Sequence, residues 1–298
     1  WPHGNKDIYN TYNRIFNCQG HGWSNVQSTH LNLGFATDEG FGRLHAAIRV
    51  LLPILPAIAA SSPASDGALT GWLDTRLEYY RNNQKIIPSI TGQVIPEPVF
   101  CEAAYEREIY QRLRRDIAPH DPDGVLEAEW LNSRGAIARF DRNAIEIRVL
   151  DIQECPLADV SLAVLICAVL KGLCEGRWAG LAEQKAADTD ALAEIFVGAV
   201  KDGEQTMIDN RRYLALFGRG GKVAMTAGEL WQELAADCAS ELAGAGHGIQ
   251  QSVDTILAHG VLSKRIIRAL GDKPGRERFR KVYRELGRCL AQGLLFLP

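Results

Sequence analysis

Gly135-Ala-Ile-Ala-Arg-Phe-Asp-Arg-Asn-Ala-Ile-Glu-Ile-Arg-Val-Leu-Asp151 alternates apolar and charged residues as two short strands and turns four charges toward a common side. In its second half Ile145, Ile147 and Val149 fall on one strand face and Glu146 and Arg148 on the other, because successive side chains of an extended chain point to opposite sides. An acid two residues from a base on one face can hold a metal with the first and an anionic substrate with the second. The same pattern also suits an exposed cross-strand ion pair, and periodicity by itself leaves both readings open.

A second strand is expected within Asn25-Val-Gln-Ser-Thr-His-Leu-Asn-Leu-Gly-Phe35, where Leu31 and Leu33 alternate with His30 and Asn32. Imidazole nitrogen binds divalent metals, and an Asn amide can donate to phosphate or accept from an amine. A single strand His is also commonly structural.

Read together, these segments resemble glutamate-cysteine ligase family 2, the carboxylate-amine ligases related to glutamine synthetase. The resemblance is carried by Thr29-His-Leu-Asn-Leu-Gly34, by Ala59-Ala-Ser-Ser-Pro63 with Asp66-Gly67 and Thr75-Arg76 downstream, and by Ala144-Ile-Glu-Ile-Arg-Val-Leu-Asp151, over roughly the first half of the chain. In that family a His-x-His or Gln-x-Asn strand precedes a helix ending in a Ser-Pro turn, and a Glu-x-Arg strand follows. The resemblance implies that Glu146 and His30 are metal ligands and that Arg148 receives a substrate carboxylate. It places Arg139 and Arg142 near the transferring phosphate as catalytic residues, with Arg139 also contacting nucleotide. Arg76 becomes a second substrate-carboxylate contact. Asn32 stands where many relatives have a second His, and is assigned to substrate or nucleotide. ATP with Mg2+ or Mn2+ is implied as cofactor, glutamate or a similar carboxylate and an amine such as cysteine as substrates, and glutathione biosynthesis as the setting.

One departure accompanies this. The family's first strand carries a Glu-x-Glu pair of metal carboxylates, and no matching segment precedes His30. The opening Trp1-Pro-His-Gly-Asn-Lys6 resembles an internal stretch of longer relatives, so the expectation is that an amino-terminal part is absent and that the metal site is half a site. Glu127-Ala-Glu129 has the spacing of a substitute but sits in a place the resemblance does not favour, and is expected to be a solvated face.

With 298 residues and 46% hydrophobic content the chain can bury a substantial core. Its 33 basic and 36 acidic residues give a net charge of −3, which exerts no global pull toward nucleic acid or an anionic membrane and points to small-molecule partners. The seven cysteines are scattered with no Cys-x-x-Cys, so reduced thiols in a cytoplasmic protein are expected. The apolar runs at 50–60 and 160–170 are about half the length of a bilayer span, and neither reads as an anchor.

Helices are expected at 6–17, from Asp38 toward Ala60 with a break at Pro53 and Pro56, and at 102–115. Loops are expected over 64–100, and a solvated turn at Pro119-His-Asp-Pro-Asp-Gly124. Beyond Pro156 apolar stripes recur at helical spacing in 157–173, 192–200, 230–242, 249–257 and 279–295. Phe217-Gly-Arg-Gly-Gly-Lys222 lacks the spacing of a phosphate loop and reads as a flexible basic loop, with a lid over ATP as the functional alternative. The basic segment 273–281 reads as a solvated helix start.

The expected architecture is α+β. Residues 1–155 would form an antiparallel sheet region of the glutamine synthetase type, incomplete at its amino end, and 156–298 a helical region packed on the same domain or serving a homo-oligomer interface. The expected activity is ATP-dependent joining of a carboxylate to an amine. A small-molecule phosphotransferase and a noncatalytic carboxylate-binding protein use the same residues and stay open.

Overall fold

The computed structural model describes residues 4–23 and 25–298. The expectation drawn from the Trp1-Pro-His opening falls on residues 1–3, outside the described residues.

Strands β1 (Ser28–Gly34), β2 (Ala136–Arg139) and β3 (Ala144–Asp151) form an antiparallel sheet in the order β1-β3-β2. The two strands expected in the 135–151 stretch are therefore a hairpin, closed by a 3-10 turn at Phe140–Arg142 and by Asn143, whose φ of 48° is tolerated by a short polar side chain. Gly135 opens the hairpin where no other residue fits: a Cβ there would lie 2.7 Å from Val149 Cγ1. Ala136, Ala138, Ile145, Ile147 and Val149 are buried and form the inner face of the sheet.

Alternation holds along β3 until Arg148 and then breaks. Leu31 lies opposite Ile147, but Thr29 lies opposite Leu150, so Arg148 and Val149 together face His30. This bulge lets Val149, Leu150 and Asp151 all be buried in succession, which a strict period of two does not allow. Strict alternation from Ile145 would put Asp151 on the inner face; the bulge instead turns Leu150 inward and moves Asp151 to the side of Ser28, opposite which it lies.

Helices cover the inner face. Asp38–Leu51 starts at Thr37, whose side chain accepts from Gly40 N at 3.0 Å, and it runs on through a 3-10 turn at Leu52–Ile54 into Pro56–Ala59. The prolines thus interrupt the helix as expected, because each lacks the N–H of a continuing turn. Pro156–Cys174 packs on Asp38–Leu51 and on His247–His259. Its 19 residues make it longer than the apolar run at 160–170 suggests, long and apolar enough by length and composition to cross a membrane. Ten of its residues are nonetheless buried inside the protein, as befits a central core helix.

The remaining helical stripes appear as Thr189–Asp202, Ala227–Asp237 with Ala239–Ala245, His247–His259 and Arg276–Gln292. Leu262–Leu270 and Thr75–Asn82 are additional; the second occupies a region read from sequence as loop, and its start is fixed by Asp74, which accepts from Leu77 N at 2.8 Å. One apolar core extends from Phe16 to Ile256, and a smaller cluster joins Leu262, Ile266 and Phe279 to Phe296. The seven cysteines form no disulfide.

Two loop expectations change. Asp121 is 4% exposed and accepts from Leu126 N at 2.7 Å, so it closes the 119–124 turn from inside instead of facing water. The cations of the 217–222 loop are held by the helix beside it: Arg219 pairs with Glu233 and Asp237, and Lys222 lies 3.3 Å from Glu233. Glu127 and Glu129 are exposed, as expected.

Candidate active site on the outer face of the sheet

Pairing of the strands brings the proposed ligands together. Asn32 lies directly opposite Glu146 in the β1–β3 register, and His30 stands two residues along on the same side. His30 Nδ1 is 3.2 Å from Glu146 Oε1, and Arg148 Nε is 3.1 Å from the same oxygen. The Arg148 contact is one of charge, since Nε is not aligned as a hydrogen-bond donor. His30 Nε2 reaches Ser28 Oγ at 2.9 Å, which fixes the ring from its other end. The three side chains are half-buried: 35% exposed for His30, 13% for Glu146 and 27% for Arg148.

Arg139, opposite Ala144 on β2, shares this face. The His30 hydrogen bond, with the positive charges of Arg148 and Arg139, holds the Glu146 carboxyl below the usual carboxylate range, although burial opposes the shift. Arg139 donates to Glu129 O at 3.5 Å through one terminal nitrogen, and its buried Nε has no protein partner. Arg142 lies at the hairpin tip, largely exposed, paired with its neighbour Asp141 at 3.3 Å. It is not drawn into contact with His30, Glu146 or Arg148. Tyr12, from the helix Lys6–Phe16, is close enough to Arg148 to feel its charge and donates to Trp130 O at 2.7 Å.

Arg76 belongs to an adjoining buried group. Its Nε donates to Asp151, its Nη1 reaches Arg148 O at 3.4 Å, and its Nη2 has no hydrogen-bond partner in the protein. Asp151 also accepts from Ser61 N and Ser62 Oγ, both at 2.8 Å. The Ser-Ser-Pro segment and the Glu-x-Arg strand are thus joined by one carboxylate. Beside it Asp74 is pushed well above the usual carboxylate range by burial and by Asp151. A cavity of about 440 Å³ opens here, lined by Gln27, Ser61, Ser62, Arg76, Tyr79 and Asp151.

The donor set fits a divalent cation in part. Imidazole nitrogen and carboxylate oxygen are suitable ligands, yet among the described residues no third His, Cys, Asp or Glu joins them. Sequence reasoning assigned no role to Asp151 or to Asp74. Asp151 ends the quoted strand, where alternation puts it on the apolar face with Val149, and only the bulge turns it to the side of Ser28 and the site; Asp74 was detectable as an acid one residue before a helix.

The chain is 40% identical over 210 residues to an uncharacterized protein of Archaeoglobus fulgidus, an alignment covering 70% of this chain and 53% of that protein. The chain thus spans about half the length of the relative it matches. The model of the glutamate-cysteine ligase family 2 matches residues 1–285, nearly all of the chain and well past the half that carries the sequence motifs. By that match the chain belongs to glutamate-cysteine ligase family 2.

Proposed function

We propose that this chain carries part of the active site of an ATP-dependent carboxylate-amine ligase, with glutamate as the carboxylate and cysteine as the amine. Family membership supports the reaction class, and the observation that carries the reading is the convergence of His30, Glu146, Arg148 and Arg139 on one half-buried sheet face.

The reaction needs anions brought together. A substrate carboxylate oxygen attacks the γ-phosphorus of ATP, ADP leaves, and the amine nitrogen then attacks the acyl carbon, losing a proton as phosphate departs. Arg148 would receive a carboxylate through its planar fork, which stays charged at any working pH. Arg76, whose Nη2 is unsatisfied inside the cavity wall, is suited to a second carboxylate. Arg139, with a free buried Nε, would stabilise charge on the transferring phosphoryl oxygens. Arg142 at the hairpin tip would reach only the outer end of a bound nucleotide, and Asn32 would hydrogen-bond nucleotide or amine. Magnesium or manganese, held on this chain by His30 and Glu146, would neutralise phosphate charge. The half-buried setting would limit water around the reactive acyl group.

The test is ADP release with magnesium or manganese, ATP and glutamate, with and without cysteine and other amines, run in parallel on the Archaeoglobus fulgidus relative. Release that requires both glutamate and one amine supports the ligase and identifies the amine. Release without any amine would indicate a phosphotransferase instead, and glutamate binding with no release a carboxylate-binding protein. Glu146→Gln should abolish metal-dependent turnover with the fold intact; full activity in that variant would sink the assignment.

A further inference from the structure

The carboxy-terminal end differs in charge from everything before it. Residues 268–298 contain eight Lys or Arg and three Asp or Glu, a net +5 in a chain whose total is −3. The fold gathers five of these cations, Arg268, Arg278, Lys281, Arg284 and Arg288, around one open groove of about 780 Å³ between the helix Arg276–Gln292 and the tail that follows it. Glu285 is the one acid in the groove, and it pairs with Arg288. Arg268 and Arg278 donate to backbone carbonyls of His259 and Ala269, at 3.1 and 2.7 Å. Lys281 and Arg284 have no carboxylate partner among the described residues.

Large apolar side chains stand beside these charges. Leu294 and Leu297, which line the groove, are 54% and 53% exposed. They are held outward by the way the tail is tied down. Phe296 is buried; its N–H donates to Glu154 Oε1 at 3.1 Å, and its carbonyl accepts from Arg265 at 2.8 Å. With Phe296 fixed inside, Leu294 and Leu297 on either side of it are left in solvent.

We propose that this surface is a docking site for an anionic lipid bilayer, with Leu294 and Leu297 entering the headgroup region and Lys281, Arg284 and Arg288 meeting lipid phosphates. Basic side chains bordering exposed aliphatic ones are the chemistry of peripheral membrane contact. Nucleic acid fits less well, because base stacking needs exposed aromatic rings. In this region Phe296 is buried, and Tyr283, though 45% exposed, lines the Arg76 cavity and not the groove. The family match ends at residue 285, so the leucines lie outside what that match accounts for, and the proposal stands apart from the ligase reading. Contact of this kind lies on a membrane and spans nothing.

Co-sedimentation of the whole chain with phosphatidylcholine vesicles, and with vesicles enriched in phosphatidylglycerol, tests it. Binding should require the anionic lipid and fall with added salt. Each cation removed from the set Lys281→Gln, Arg284→Gln and Arg288→Gln should weaken partitioning about fivefold. Leu294→Ser with Leu297→Ser should also weaken it, at unchanged circular dichroism and melting. All five positions are exposed, so the fold tolerates the changes. Absence of binding to anionic vesicles, equal binding to both vesicle types, or binding unaffected by the cation changes would overturn the proposal. Retention of duplex DNA or RNA with no vesicle binding would do so as well.

Discussion

Glu154→Gln isolates the cost of an uncompensated charge in this fold. Glu154 and Arg265 are an ion pair with both side chains fully buried, and they join the exit of β3 to the helix Leu262–Leu270 and to the tail at Phe296. Glutamine keeps an oxygen for Phe296 N–H and for Arg265, so the variant removes charge and little else. The guanidinium would then keep only its neutral acceptors, the carbonyls of Gly260 and Phe296 and the new amide. Breaking a buried pair from one side costs about 3–5 kcal/mol, and the retained acceptor places this variant near the lower bound. At a urea dependence of about 3 kcal/mol per molar, that is a midpoint lower by roughly 1 M. Urea unfolding followed by far-UV circular dichroism and by tryptophan fluorescence, to which the buried Trp231 contributes, measures it. Glu154→Leu with Arg265→Met should recover much of the loss, because neither charge remains to be solvated. A single-variant loss under about 1 kcal/mol, the scale of an exposed pair, would refute the reasoning.

Asp151→Asn should cost less than Glu154→Gln in the same assay, because Asp74 stands beside Arg76 and can ionise in its place; an equal cost would count against that exchange. The raised Asp74 carboxyl favours the folded state below the ordinary carboxylate value, and this is lost as pH rises toward its raised value. Urea midpoints of Asp151→Asn should therefore fall less steeply across the weakly acidic range than those of the parent. The lowered Glu146 carboxyl acts oppositely, contributing above the ordinary carboxylate value and losing that contribution as pH falls through its lowered one. His30→Ala removes the largest cause of that lowering, so acid unfolding should begin at higher pH, and no such shift should appear when Glu146→Gln is already present. Tyr105→Phe leaves Asn132 Nδ2 and Ala138 N, which lie 2.7 and 3.2 Å from the Tyr105 hydroxyl, without an acceptor in the core. Thermal melts should show a loss of about 1–3 kcal/mol, and an unchanged melt would mean that β2 is held by other contacts.

The sequence alone determined what depends on local period. Alternation over residues 136–139 and 144–151 set two strands, and it put Glu146 and Arg148 on one side because side-chain direction in a strand is fixed by the backbone. Pro53 and Pro56 likewise ended a helix for want of an N–H. The family, too, was legible, since its motifs lie in contiguous segments. Tertiary structure decided whatever depends on pairing between distant segments. Only the register of β1 on β3 sets Asn32 opposite Glu146 and His30 Nδ1 3.2 Å from its carboxylate. Only the bulge at Arg148 and Val149 turns Asp151 to the side of Ser28 and the site, where it binds Ser61, Ser62 and Arg76, because one extra residue reverses the alternation that a period of two extrapolates. Arg76 and Arg142 look alike in sequence as arginines beside turns. One became a buried group lining a cavity and the other a solvated hairpin tip, since burial is a property of what packs around a residue and not of the residue itself.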